Sequence, residues 1–133
     1  QPWALAMAPS NFGSFSNDLL VGNFADGNIN AFDPKNGHFE GVLKDGNGQP
    51  IAITHLWGLA FGNGGEAGPT NTLYFTAGLS SHLAPSDAPF HGLFGSLTIP
   101  ADAPHNSVIT SSSRLGGSQF DRAEDREILD GII

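Results

Sequence analysis

Two imidazoles and a carboxylate fall within one short polar stretch, His82, Asp87 and His91 in "SHLAPSDAPFHG". Neutral imidazole nitrogens and carboxylate oxygens are the donors that a divalent transition ion takes, so this trio is a candidate metal set. The spacing is not that of two histidines one helical turn apart, and His38, His55 and His105 stand isolated along the chain. A polar loop with scattered histidines is the plainer reading. A second candidate is "NFADGNINAFD", where Asn23, Asp26, Asn28 and Asn30 offer oxygen ligands of the kind calcium prefers. It lacks the repeated Asp spacing of a calcium loop, and Asp26–Gly27 reads more simply as a hairpin turn. "DGNG" at 45–48 stands no better. Calcium or another divalent metal is therefore a candidate at Asp26 and Asn28, and no cofactor is expected.

Other chemistry is weakly represented. "GNGGEAGPTN" at 62–71 is glycine-rich, but it lacks the Lys-Ser/Thr ending of a phosphate-binding loop and runs into a strand-like "TLYFTA". No G-x-S-x-G elbow occurs, and Ser96 in "GLFGSLT" sits in strand-like sequence, so no catalytic nucleophile is assigned. Trp3 and Trp57 are candidate ligand-binding platforms, since aromatic faces stack on sugar rings. Packing between structural units is their plainer role.

Composition narrows the classes. The chain has 133 residues, enough to bury one core, with Gly 18 and Pro 9 pointing to many turns. Ten Phe and a single Met suit strands better than a helical bundle. With no Cys, disulfides and thiolate chemistry are excluded. The net charge is −8, and only Lys35 and Lys44 precede Arg114, so nucleic acid and anionic membranes are poor partners. No apolar run approaches the roughly 20 residues of a membrane span. The opening "QPWALAMAP" lacks the features of a signal peptide, so it either follows a removed leader or begins within a longer protein.

The elements that must position these residues come from an internal repeat. "PWALAMAP" at 2–9 matches "LWGLAFGN" at 56–63, with Trp3 and Trp57 54 positions apart. "NDLLVGNF" at 17–24 matches "NTLYFTAG" at 71–78 with the same 54-residue offset. "GNINAFDP" matches "HGLFGSLTIP", with Ile29 aligned to Leu93 at an offset of 64, so the second copy carries an insertion near 79–90. "WALAMA", "DLLVGNF", "NINAFD" and "FEGVLKD" read as four strands separated by Gly, Asn, Asp and Pro turns. "WGLAFG", "TLYFTAG", "GLFGSLTI" and "NSVIT" at 106–110 give four more. Four antiparallel strands per repeat of about 50 residues is the plan of a propeller blade. The expected fold is all-β, about two four-stranded β-propeller blades over 1–54 and 55–110, with a β-sandwich or jelly roll as alternatives.

"NDLLVGNFADGNINAFDP", "LWGLAFGNGGEAGPTNTLYFTAG" and "HGLFGSLT" together resemble a family of uncharacterised, secreted bacterial propeller-like proteins, some with a PEP-CTERM sorting tail. The resemblance covers residues 1–100 and implies an extracytoplasmic propeller of which this chain holds the C-terminal blades. It carries over no catalytic residues.

Residues 111–133 are read as a linker and acidic tail: "TSSSRLGGSQ" is Ser/Gly-rich, and "FDRAEDREILDGII" has Asp121 and Glu124 in a capping-box arrangement. That tail is expected to be either a short helix or a disordered end. Two blades alone leave open edges and apolar faces, which predicts association with copies of the chain as a ring or filament. The expected function is a secreted binding or self-assembling module with a glycan or protein ligand. The alternatives are a metal-dependent propeller hydrolase of the lactonase or esterase kind and a glycan-binding lectin.

Overall fold

A computed structural model describes residues 1–78, 92–99 and the strand at Ile109–Leu115. The described residues form two antiparallel sheets, each a four-stranded meander in chain order. The first contains β1 (Pro2–Met7), β2 (Leu19–Asn23), β3 (Ile29–Phe32) and β4 (Phe39–Val42). The second contains β5 (Leu56–Phe61), β6 (Thr72–Gly78), β7 (Gly92–Thr98) and β8 (Ile109–Leu115). A single 3-10 turn at Gly13–Phe15 interrupts the β1–β2 connection. The described residues are thus all-β apart from that turn, as the short strand-like runs and turn residues predict.

One strand differs from expectation. β8 runs Ile109–Leu115, overlapping the expected 106–110 at only two residues and taking in five residues read as the start of a linker. Its composition, "ITSSSRL", carries little apolar signal. Strand pairing is made by the backbone, and β8 meets β7 in seven successive pairs from Gly92↔Leu115 to Thr98↔Ile109. A ladder of that length tolerates Ser and Thr side chains along an edge. The expected insertion at 79–90 and the remainder of the tail, 116–133, lie outside the described residues.

The two sheets repeat each other pair by pair. Leu5↔Val21 and Met7↔Leu19 in the first become Leu59↔Phe75 and Phe61↔Leu73 in the second. The register also shifts at the same place, between Pro2 and Ala4 and again between Leu56 and Gly58. The flanking backbone bonds recur as well: Ala8 N–H to Asp18 O matches Gly62 N–H to Thr72 O, and Phe24 N–H to Gln1 O matches Gly78 N–H to His55 O. In the third strands, Gly22↔Ile29 corresponds to Thr76↔Phe94, so the structural partner of Ile29 is Phe94 rather than Leu93. Matching by apolar type selects Leu93 because both Ile29 and Leu93 are buried. They are buried on opposite faces of their sheets.

That opposition defines the core. The first sheet turns inward the face carrying Ala4, Ala6, Leu20, Gly22, Ile29 and Ala31. The second turns inward the other face of the same plan, with Leu59, Phe61, Leu73, Phe75, Leu93 and Leu97. Gly22 marks the contact: a Cβ there would lie 2.6 Å from Leu56 Cδ2 and 3.1 Å from Leu59 Cδ1. β1 and β2 lie against β5, whereas β3 and β4 make no comparable approach to the second sheet. Phe12, Phe15, Leu43, Ile51 and Ile53 close the core from the connections, with Phe12 edge-on to Phe61 at 4.9 Å between ring centres. Each fully buried Leu, Ile or Phe contributes about 1.5–3 kcal/mol.

The sheets are joined by a strap over residues 51–55. Ile51 N–H donates to Leu43 O, Ile53 N–H to Gly27 O and His55 N–H to Phe24 O. Gly27 has φ +70°, and a Cβ on it would strike the Ile53 backbone. Both the turn and the strap therefore require glycine at this position. Gly27→Ala is expected to cost about 2–4 kcal/mol in chemical denaturation, from left-handed strain plus the collision. Gly37→Ala, at φ +75° with open space around it, is expected to cost only the strain, about 1–2 kcal/mol. Equal losses would show that the strap does not press on the turn.

Candidate functional site

Antiparallel pairing brings the start of β1, the end of β2 and the start of β5 to one end of the molecule. Trp3, Phe24, His55 and Trp57 gather there. Trp3 and Phe24 ring centres are 5.8 Å apart at 47°, and Phe24 and His55 are 5.2 Å apart at 48°. Trp3 is 66% exposed and Trp57 59%, each at the residue that the strand pairing skips. A bulge leaves the extra residue out of the ladder and re-aims its side chain, so both indoles stand clear of the core.

His55 joins the two halves of this end. Its φ is +57°, its N–H donates to Phe24 O, and its carbonyl accepts from Gly78 N–H. Gly78 leaves room for it, since a Cβ at that position would lie 3.2 Å from the His55 Cβ. The repeat places Gly78 where the first copy has Phe24, so the ring run from Trp3 to His55 belongs to the first sheet alone. The sequence marks both tryptophans, but it does not reveal Phe24 and His55 as their neighbours, because only the strap brings residue 55 back to the turn after β2.

The acidic turn residues are engaged locally. Asp26 Oδ2 accepts from Asn23 Nδ2 at 3.2 Å and Oδ1 from the Asn28 N–H at 3.0 Å, so both oxygens hold the β2–β3 turn. Asn28 contributes its backbone to the same turn, its carbonyl accepting from Asn23 N–H at 2.9 Å. Asp33 does the same for β3–β4, accepting from Lys35 N–H and Asn36 Nδ2. Asp45 Oδ1 accepts from the N–H groups of Asn47 and Gln49. In the glycine-rich loop, Gly65 and Ala67 N–H donate to Asn63 Oδ1, while Gly64 and Gly68 N–H donate to backbone carbonyls. Those amides point inward to the loop, away from the role of an anion cradle. Among the described residues no group of three His, Cys, Asp or Glu side chains could hold a metal ion, and the trio His82, Asp87 and His91 lies outside those residues. Nor is any helix among them long and apolar enough to cross a membrane.

Asp18 stands apart from these turn acids. Partial burial pushes its carboxyl above the usual range, and the nearby charges of Glu40 and Asp33 push in the same direction. The three carboxylates approach one another where β2, β3 and β4 lie side by side.

No family model and no solved structure matches the chain. Three uncharacterised proteins of Acanthamoeba polyphaga mimivirus are similar to it. Protein R648 is 36% identical over 96 residues, covering 72% of this chain and 21% of that protein. Protein L690 is 41% identical over 59 residues, covering 44% of this chain and 16% of its own length. Protein R640 is 43% identical over 58 residues, covering 44% of this chain and 11% of its own length. The chain thus spans between about a tenth and about a fifth of the length of these relatives. They correct the resemblance drawn from sequence motifs: the similar proteins are viral, and nothing in them points to a secreted bacterial family with PEP-CTERM tails. The motifs that carried that resemblance are short strands and Asn/Gly turns, which repeat-built β proteins of separate origin share.

Asp18→Asn tests the acidic cluster, and it leaves intact the Asp18 carbonyl that accepts from Ala8 N–H. A carboxyl with a raised folded-state pKa destabilises the fold when ionised, and this penalty fades as pH falls through the raised value. The variant is therefore expected to melt slightly higher than the parent at pH 7, with the advantage gone near pH 3, below the ordinary Asp range. Thermal melts across that interval check it; a variant less stable at pH 7 would reverse the assignment.

Proposed function

We propose that the two sheets are successive blades of a β-propeller-type repeat, and that the chain is a binding and assembly module. The observation carrying the architecture is the sense of packing. Two sheets of one plan and one register bury unlike faces, as units stacked by a repeated rotation do. β1 and β5, the first strands, meet closely while β3 and β4 stand away, a wedge-like arrangement of the kind that radial stacking requires. A sandwich would bring the outer strands of the first sheet onto the second as well.

The aromatic end supplies the binding surface. Trp3 and Trp57 occupy the same bulge in both units, each more than half exposed, and Phe24 and His55 extend the first ring into a run. Flat rings with apolar bodies and polar edges stack on the apolar faces of sugar rings, so a glycan is the ligand class this surface fits. The hydrogen-bonded turns around it give rigidity, with Asp26 holding the loop that carries Phe24. On a glycan array the chain is expected to bind a defined subset of sugars. Trp3→Ala and Trp57→Ala are each expected to weaken that binding about tenfold, about 1.4 kcal/mol, with the circular dichroism spectrum unchanged. Undiminished binding by the doubly substituted chain would reject the aromatic end as the ligand surface.

A further inference from the structure

The outer face of the first sheet is apolar except for Asn30, which lies opposite Val21. Leu5 and Met7 on β1 are 63% and 53% exposed, Phe39 on β4 is 61% exposed, and Leu19, Val21 and Phe32 lie partly buried between them on the same side. Phe32 and Phe39 rings meet edge to face at 5.6 Å. The aligned register identifies these residues. Leu5, Met7, Leu19, Val21 and Phe32 occupy the places that Leu59, Phe61, Leu73, Phe75 and Leu97 occupy in the second sheet. There, those side chains pack against the first sheet. The first sheet therefore displays outward the kind of face that the second sheet buries.

The outer face of the second sheet corresponds to the receiving face of the first. Gly58, Ala60, Tyr74, Thr76 and Phe94 stand where Ala4, Ala6, Leu20, Gly22 and Ile29 form the receiving face of the first sheet. The small residues of the first strand, which let β5 approach β1, are kept as Gly58 and Ala60. Tyr74 and Phe94 stack at 5.7 Å and 14°, forming a flat aromatic plate, with Phe94 38% exposed. None of the residues named on either outer face is charged, so their contact strands no ion in a dry interface.

We propose that a second copy of this chain docks head-to-tail, its Tyr74–Phe94 face covering the Leu5–Met7–Val21 face of the first copy. The occupant is argued from the molecule's own sheet-to-sheet interface, whose plan the new contact would follow, with Thr76 in the place of Gly22. The proposal rests on the blade reading of the two sheets, and its test needs no ligand. The contact is heterologous, so each copy keeps one face of each kind free and association proceeds to a closed ring or a filament.

Sedimentation velocity on the 133-residue chain at increasing micromolar concentration tests this. The expected result is concentration-dependent association beyond a monomer. Leu5→Asp and Phe94→Asp alter exposed side chains on opposite faces, and each variant alone is expected to remain folded by circular dichroism and to sediment as a monomer. Mixed in equal amounts they are expected to form a heterodimer and nothing larger, because one good face of each kind survives. A face-to-face dimer through the first sheets would instead be broken by Leu5→Asp, untouched by Phe94→Asp and not restored by mixing. That pattern overturns the proposal, as does a parent chain that stays monomeric. Either failure leaves glycan binding at Trp3 and Trp57 to stand or fall on its own measurement.

Discussion

The close approach of β5 to the first sheet is the contact on which the rest of the structure depends. Gly22 has no side chain to hold Leu56 and Leu59 away, so β5 settles against β1 and β2. That contact buries the first sheet's small-residue face against the second sheet's large-residue face, and each sheet is left with its other face outward. Neither sheet could bury both faces with only one neighbour. The apolar outer surface is a direct consequence of two repeated sheets that each carry two apolar faces and bury one.

The strap over residues 51–55 converts this packing into a defined end. Its backbone bonds to Leu43, Gly27 and Phe24 lock the entry to β5 beside the turn after β2. Through that turn it places His55 against Phe24 and Phe24 against Trp3. The same turn draws both Asp26 oxygens into holding its shape. Asp26 thus holds the aromatic end in shape, and the acidic residues at 33 and 45 play the same part in their own loops.

Much of this was readable along the chain. "LLVGN" and "INAF" lie between Asn, Asp and Gly turns whose preferences are local, so β2 and β3 follow from short-range chemistry. The 54-residue offset of Trp3 and Trp57 marks β1 and β5 as counterparts, and the structure gives them one register and one bulge. β8 was misplaced because an edge strand rich in Ser is held by backbone pairing, which leaves little trace in side-chain type. The matching of Ile29 to Leu93 failed by one residue for a related reason: apolar character reports burial, and the two copies bury opposite faces.

The sequence by itself determined the strands, their turns and the fact that the chain is written twice. These rest on alternation, positive-φ glycines and carboxylates that cap their own loops, all interactions between near neighbours. Only the tertiary structure decided which face of each sheet is core. Leu5, Val21 and Met7 are as apolar as Leu20, Ile29 and Ala31, so alternation marks two apolar faces and cannot choose between them. The choice is made by the neighbour that arrives, and β5 arrives at Gly22.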